Sequence, residues 1–233
     1  MLKYFVTLLI SVIVKCSIGG VKYPNAGLPC DSLPQFSVHK LVTPFSMITC
    51  GIAAHNYQKS ANAFNHFPEY ILCDKLGDRP TRIDDAIQYL PIVAFVSIPG
   101  KYKFTDKLFL TATASLAAVS MIQPLKQIVT ETRPNGSGNN SFPSGHTTTA
   151  FLGAELLRLS GYGKQYYIPA YCVAFCVACL RVHNQRHYFN DVVAGAGFGI
   201  LSANIAHWLY PLEKRCFSKR KAKRAEIQAL SNY

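Results

Sequence analysis

Between residues 84 and 212 the chain repeats one pattern five times, an apolar run of helical length followed by a short polar link. The runs cover residues 86–99, 108–125, 147–160, 166–182 and 192–210. A helix that is apolar on most of its faces has to bury them against other helices or against lipid. The pattern therefore predicts an all-α fold, a membrane-embedded helical bundle of about five to six helices. Only 108–125 and 192–210 approach the roughly 20 residues that cross a bilayer unaided. Composition agrees in part. Charged residues make up 15% of the chain, against about 25% in soluble domains, but a mean hydropathy of +0.13 is modest for many spans.

The 233 residues suffice for one domain with a sizeable core. Residues 1–20 place Lys3 before an apolar run and small residues at Ser17, Gly19 and Gly20, which reads as a signal peptide or an uncleaved signal anchor. Residues 21–83 form an N-terminal extension with one marginal apolar helix near 41–54, weakened by Pro44, Ser46 and Thr49. The aromatics Phe64, Phe67 and Tyr70 suggest an interfacial helix with a loop over 55–85, and Asp84 offers an N-cap to the next helix. Residues 84–212 are the helical core, and 213–233 a basic cytoplasmic tail.

The formal net charge is +12, and seven of the 24 basic residues lie in that tail. A basic stretch after an apolar helix points to an anionic membrane surface before nucleic acid. Lys101, Lys103, Lys107, Arg158 and Lys164 occupy links on the tail's side. By the positive-inside rule that side is cytoplasmic, and the links after the second and fourth runs face outward. Glu155 and Arg158 read as a bundle-facing polar pair near the membrane edge. Cys172, Cys176 and Cys179 recur at helical spacing in an apolar run and read as small buried packing residues, with no zinc site expected. Cys30 and Cys73 are able to pair in an oxidising compartment. Gly195, Gly197 and Gly199 lie inside an apolar helix with no preceding strand, so small-residue helix packing is preferred to a nucleotide loop.

The two outward links and the residues beside them hold three polar clusters. Lys126 and Arg133-Pro134 are separated by six residues, Pro143-Ser144-Gly145-His146 opens the third run, and Arg181, His187 and Asp191 follow. Cleaving a phosphate ester needs cations or N–H donors for the phosphoryl oxygens, an aligned nucleophile and an acid for the leaving alcohol. Ser144 and Gly145 stand where a helix start offers amides and a favourable dipole to an anion. His187 and Asp191 share one helical face, so the acid is able to hold the imidazole in one tautomer. The Gly/Asn-rich link 135–140 reads as a flexible connection.

Taken together, the three clusters resemble the signature of the type 2 phosphatidic acid phosphatase superfamily, over residues 126–191 directly. That superfamily includes lipid phosphate phosphatases, soluble bacterial acid phosphatases and vanadium haloperoxidases. Leu180 departs from the pattern, where the family often has Ser. The resemblance implies a phosphoric monoester or pyrophosphate hydrolase with the active site at one end of the bundle. It implies that His187 attacks to form a phosphohistidine, Asp191 orients it and His146 is the leaving-group acid. Lys126, Arg133, Arg181, Ser144 and Gly145 would bind the phosphoryl oxygens, and Arg186 is a further possible substrate contact. It implies no metal and no cofactor. The expected partners are an anionic lipid phosphate (lipid A, undecaprenyl pyrophosphate or a phospholipid) and the bilayer, with no nucleic acid. The expected place is the cytoplasmic (inner) membrane, multi-pass, with the site facing the periplasm or exterior. A soluble periplasmic acid phosphatase, a non-catalytic phospholipid-binding relative and a haloperoxidase are the rival readings.

Overall fold

The computed structural model describes residues 39–58 and 82–230. The signal-like residues 1–20, most of the suggested interfacial segment and the Cys30–Cys73 pairing lie outside the described residues. Those residues are all-helical: α1 (His39–Gln58), α2 (Ile83–Ile87), α3 (Leu90–Ser97), α4 (Phe104–Ile128), α5 (Gly145–Leu159), α6 (Lys164–His183) and α7 (Phe189–Leu230). Extended pairing among them is limited to one isolated bridge between Glu131 and Asn140.

The first predicted run is broken into α2 and α3. Pro91 stands in the first turn of α3, where its missing amide is tolerated, whereas it cannot continue the ladder of α2. Asp84 is not a cap: Arg82 holds that position, and Asp84 is turned into the protein and almost fully buried. The other four runs become α4, α5, α6 and α7. The last continues past residue 212 to Leu230 as one helix.

α7 is the element on which the others assemble, packing against α5, α1 and α4, while α5 also meets α6 and α3. Glycines permit this closeness. A Cβ on Gly195 would lie 2.6 Å from the Ser144 carbonyl oxygen, and one on Gly199 2.4 Å from that of Thr148. On the other face, a Cβ at Gly197 would lie 2.8 Å from the Pro44 carbonyl oxygen of α1. The expected small-residue packing is thus real and two-sided.

α4, α6 and the Phe189–Pro211 part of α7 are long and apolar enough to cross a membrane. α4 and α6 also expose Leu108, Leu116, Val119, Ile168 and Phe175, a surface suited to lipid. Cys172 and Cys176 are exposed on α6, which overturns the buried role expected for them. Periodicity inside an apolar run marks a helix face without saying whether protein or lipid covers it. Cys176 and Cys179 do stand at Cys-x-x-Cys spacing, one turn apart on this helix.

The buried charged side chains include Lys107 and Glu155. Lys107, expected among the surface charges, is 3% exposed and donates to the carbonyls of Ile98 at 2.5 Å and Val96 at 3.3 Å. It satisfies carbonyls left over at the end of α3. Glu155 is fully buried and faces the bundle, as expected. It accepts from Arg158 at 2.7 and 2.5 Å, from Asn204 at 2.9 Å and from the Tyr171 hydroxyl.

Candidate active site

The predicted polar clusters come together at the end of the bundle where α4 stops, α5 starts and α6 turns into α7. Each is held there by local backbone structure. The link from α4 to α5 is a closed turn, not a flexible tether. Ser141 N–H donates to the Glu131 carbonyl at 3.0 Å, Arg133 N–H to Gly138 at 2.8 Å, and Gly136 N–H back to Arg133 at 2.9 Å. Gly136 sits at φ +70°, a left-handed conformation suited to glycine. The Lys126 ammonium at the end of α4 donates to the Asn140 carbonyl at 3.0 Å.

The turn after α6 has the Schellman pattern. Gln185 is left-handed at φ 52°, its N–H reaches the Val182 carbonyl at 2.9 Å, and the Arg186 N–H reaches that of Arg181 at 3.1 Å. The His187 N–H also returns to the Arg181 carbonyl, at 3.3 Å. Arg181 and His187 are therefore parts of one rigid turn. The Asn135 N–H donates to the Gln185 carbonyl at 3.0 Å and ties the two outward links to each other.

His187 is 1% exposed. Its Nδ1 lies 2.7 Å from the Ser141 carbonyl oxygen, which only accepts, so Nδ1 carries the proton and Nε2 is the basic nitrogen. Asp191 Oδ2 stands 3.6 Å from the same Nδ1, beyond hydrogen-bond reach, and acts on the ring through charge. That carboxylate is fixed by the Tyr188 N–H at 2.9 Å and by the Ser141 hydroxyl. Burial drives the His187 pKa down to about 4, outweighing the upward pull of Asp191, so the ring is neutral at ordinary pH.

Lys126, Arg133 and Arg181 lie within electrostatic range of one another, Lys126 and Arg133 also of Asp191, and Arg186 lies near Arg133. Burial lowers the Arg133 pKa, and its cationic neighbours lower it further. The Nε atoms of Arg133 and Arg181 are buried without a hydrogen-bond partner. Two guanidinium donors left so are matched by an anion with several acceptor oxygens. The first amides of α5, at Gly145, His146 and Thr147, have no intrahelical acceptor and point the same chemistry outward. Ser144 contributes differently from expectation. Its side chain does not cap the helix, its N–H donates to the Asp191 carbonyl at 3.1 Å, and its Oγ accepts from Thr147 at 3.0 Å. A Cβ on Gly145 would meet only Ile122 Cδ1, at 3.9 Å, so nothing inside the protein requires glycine there.

Two residues of the site were not visible as such in the sequence. Asp84 holds Arg181 through a buried ion pair of 2.7 Å and accepts from Asn184 at 3.1 Å. Asp85 accepts from His146 Nε2 at 2.8 Å. Burial and then Arg181 lower the His146 pKa, and Asp85 partly opposes them. An Asp-Asp pair before an apolar run looks like a helix start, and only the fold carries it across about a hundred residues to Arg181. Ser141 belongs with them, since it lies outside the tetrapeptide yet contacts both His187 and Asp191.

The model of the PAP2 superfamily matches residues 107–215. A lipid A 1-phosphatase of Porphyromonas gingivalis is 34% identical over 145 residues, covering 58% of this chain and 32% of the relative. Lipid phosphate phosphatase 1 of Arabidopsis thaliana is 38% identical over 79 residues, covering 28% of this chain and 24% of the relative. The chain thus spans about a third or less of the curated relatives it matches. The crystal structure of Aquifex aeolicus LpxE superposes with a TM-score of 0.50 at 21% identity, covering 62% of this chain and 94% of that one. The bundle shares that fold.

Proposed function

This chain belongs to the PAP2 superfamily, and from that premise we propose that it is a metal-independent lipid phosphatase working through a phosphohistidine. The observation that carries the reading is His187. It is a buried, neutral imidazole whose proton is committed to a carbonyl, with Arg181, whose Nε is an unsatisfied donor, and Lys126 in electrostatic range. Such a ring is nucleophilic without needing a base, because Nε2 already has a free lone pair.

In the proposed cycle Lys126, Arg133, Arg181 and the α5 amides hold the non-bridging phosphoryl oxygens. Nε2 of His187 attacks phosphorus and the bond to the leaving oxygen breaks, while His146 supplies that oxygen with a proton. Asp191 stabilises the charge that the His187 ring gains on forming the phosphohistidine. Water then attacks phosphorus, returns a proton to His146, and releases phosphate with neutral His187 restored. Charge is thus met by fixed donors in a site that need not reorganise.

The substrate class we propose is a lipid phosphomonoester or pyrophosphate, with lipid A foremost because the relative matched over the longest stretch is a lipid A 1-phosphatase. The lipid-suited faces of α4 and α6 run up to the end of the bundle that holds the site, so an acyl-bearing substrate reaches it from the bilayer. The inner membrane, with the site facing the periplasm or exterior, fits the basic links and tail at the other end.

Phosphate release from detergent-dispersed lipid A, phosphatidic acid, phosphatidylglycerophosphate and undecaprenyl pyrophosphate tests the reading. His187→Ala and His146→Ala should each reduce turnover at least about 10³-fold while the protein still accumulates. Acid-labile phosphate should be trapped on the wild type and not on His187→Ala. Comparable turnover by purified His187→Ala protein would sink the mechanism.

A further inference from the structure

We propose that Glu131 is protonated and shares its proton with Asp191, serving as a positioning residue for the His187–Asp191 pair. Glu131 lies on the link after α4, and its carbonyl accepts from Ser141, the residue that also holds His187 and Asp191. Its carboxyl group adjoins that of Asp191. Glu131 Oε2 and Asp191 Oδ1 are both buried and neither has a hydrogen-bond partner. Two ionised carboxylates in that position would leave two desolvated acceptors and two like charges together, a costly arrangement. One proton resolves both problems, with the Glu131 O–H donating to Oδ1 of Asp191.

The surroundings decide which acid keeps the proton. Asp191 has donors suited to a carboxylate, from the Tyr188 amide and the Ser141 hydroxyl, and Lys126 and Arg133 stand in electrostatic range. The neighbouring side chain on Glu131 Oε1 is His55 of α1, whose Nδ1 is 3.2 Å away. Burial, with Asp191 beside it, pushes the Glu131 carboxyl upward and outweighs the opposing pull of His55. Asp191 is then held by donors on both oxygens and carries the single negative charge behind His187. A second charge at Glu131 would favour a protonated His187 ring and oppose its role as nucleophile. The link also reaches α1, which lies outside the residues matched by the family model, and joins it to the site through His55.

The kinetic part of this inference rests on the phosphatase reading, and a spectroscopic measurement does not. Infrared spectra of the full chain at neutral pH should contain a protonated carboxylic-acid C=O band that disappears in Glu131→Gln. An absent band, or one unchanged in Glu131→Gln, overturns the proposal. Glu131→Gln keeps a neutral donor of the same shape and should retain most of kcat/KM with an unchanged pH profile. Glu131→Ala should lose at least about tenfold, the cost of leaving a charged buried acceptor without its donor, and its acid limb should move. Loss in Glu131→Gln equal to that in Glu131→Ala overturns the proposal, since a negative charge would then be what the site needs. A wild type that releases phosphate from no lipid defeats the functional reading while the infrared band still decides where the proton lies.

Discussion

Replacing Gly195 by alanine tests whether the seating of α7 on α5 sets the anion-binding geometry. The added Cβ would lie 2.6 Å from the Ser144 carbonyl oxygen and 3.3 Å from Ser144 Cβ. Ordinary C···O contacts begin at about 3.3 Å, so the helices have to part by about 0.7 Å at this point. The obstructing atom is backbone, and no flexible side chain can swing aside to relieve it. Overpacking of this kind costs about 1–3 kcal/mol of stability. The larger effect falls on rate. Ser144 N–H is tied to the Asp191 carbonyl at 3.1 Å, so the α5 amides are positioned against the helix that begins beside His187. A misplacement of 1 Å costs about 10²-fold, which scales to roughly 10- to 100-fold here. Initial rates of phosphate release by purified protein, with thermal unfolding in the same detergent, measure both terms. Gly138→Ala is the control, because its Cβ would meet nothing closer than 3.6 Å and should change neither. Wild-type rate and stability in Gly195→Ala would refute the claim that this contact sets the cradle.

Other outcomes follow from the same geometry. Asp85→Asn removes the group that raises the His146 pKa, so the basic limb of the pH–rate profile should move down. Asp85 is more than half exposed, which limits the movement to less than about one pH unit. The loss should be greater for a poor leaving alcohol than for an activated aryl phosphate; equal losses would show that His146 is not the acid. His187 has a folded pKa of about 4 against an ordinary 6.5, so the unfolded chain binds its proton first as pH falls. Stability is then present above pH 6.5 and declines between 6.5 and 4 by about 3 kcal/mol, a decline that His187→Gln should blunt in pH-dependent unfolding. Arg158→Ala leaves Glu155 buried without its charge partner. Because Arg158 is 40% exposed, about 1–3 kcal/mol is expected, below the 3–5 of a fully buried pair. The double variant with Glu155→Gln should recover part of that in thermal unfolding.

How much of this could be read from the chain depended on sequence distance. Local spacing was sufficient for the helices, since apolar periodicity acts over a few turns. The same holds for the Arg181, His187 and Asp191 cluster, which a single turn and the start of α7 bring together. Asp84, Asp85 and Glu131 are different. Each makes its defining contact with a residue 60 or more positions away, and its local sequence fits a plainer role. Cys172 and Lys107 failed for a related reason. Whether a helix face meets lipid, and whether a lysine folds back onto free carbonyls, is decided by neighbouring helices.

The character of α5 bears on how such a protein is made. It begins at the proposed phosphate-binding end, runs for 15 residues and buries Glu155 near its end. At 1.5 Å per residue it reaches about 22 Å, short of the roughly 30 Å hydrocarbon layer. A segment this short and this polar has little tendency to enter a bilayer by itself, so its insertion waits on α6 and α7, which are synthesised after it. The proposed anion-binding end of α5 is consequently assembled late, when the glycine face of α7 closes on it. Substitutions along that face would first be seen in the cell as poor membrane integration and rapid turnover, before any change in rate was measured.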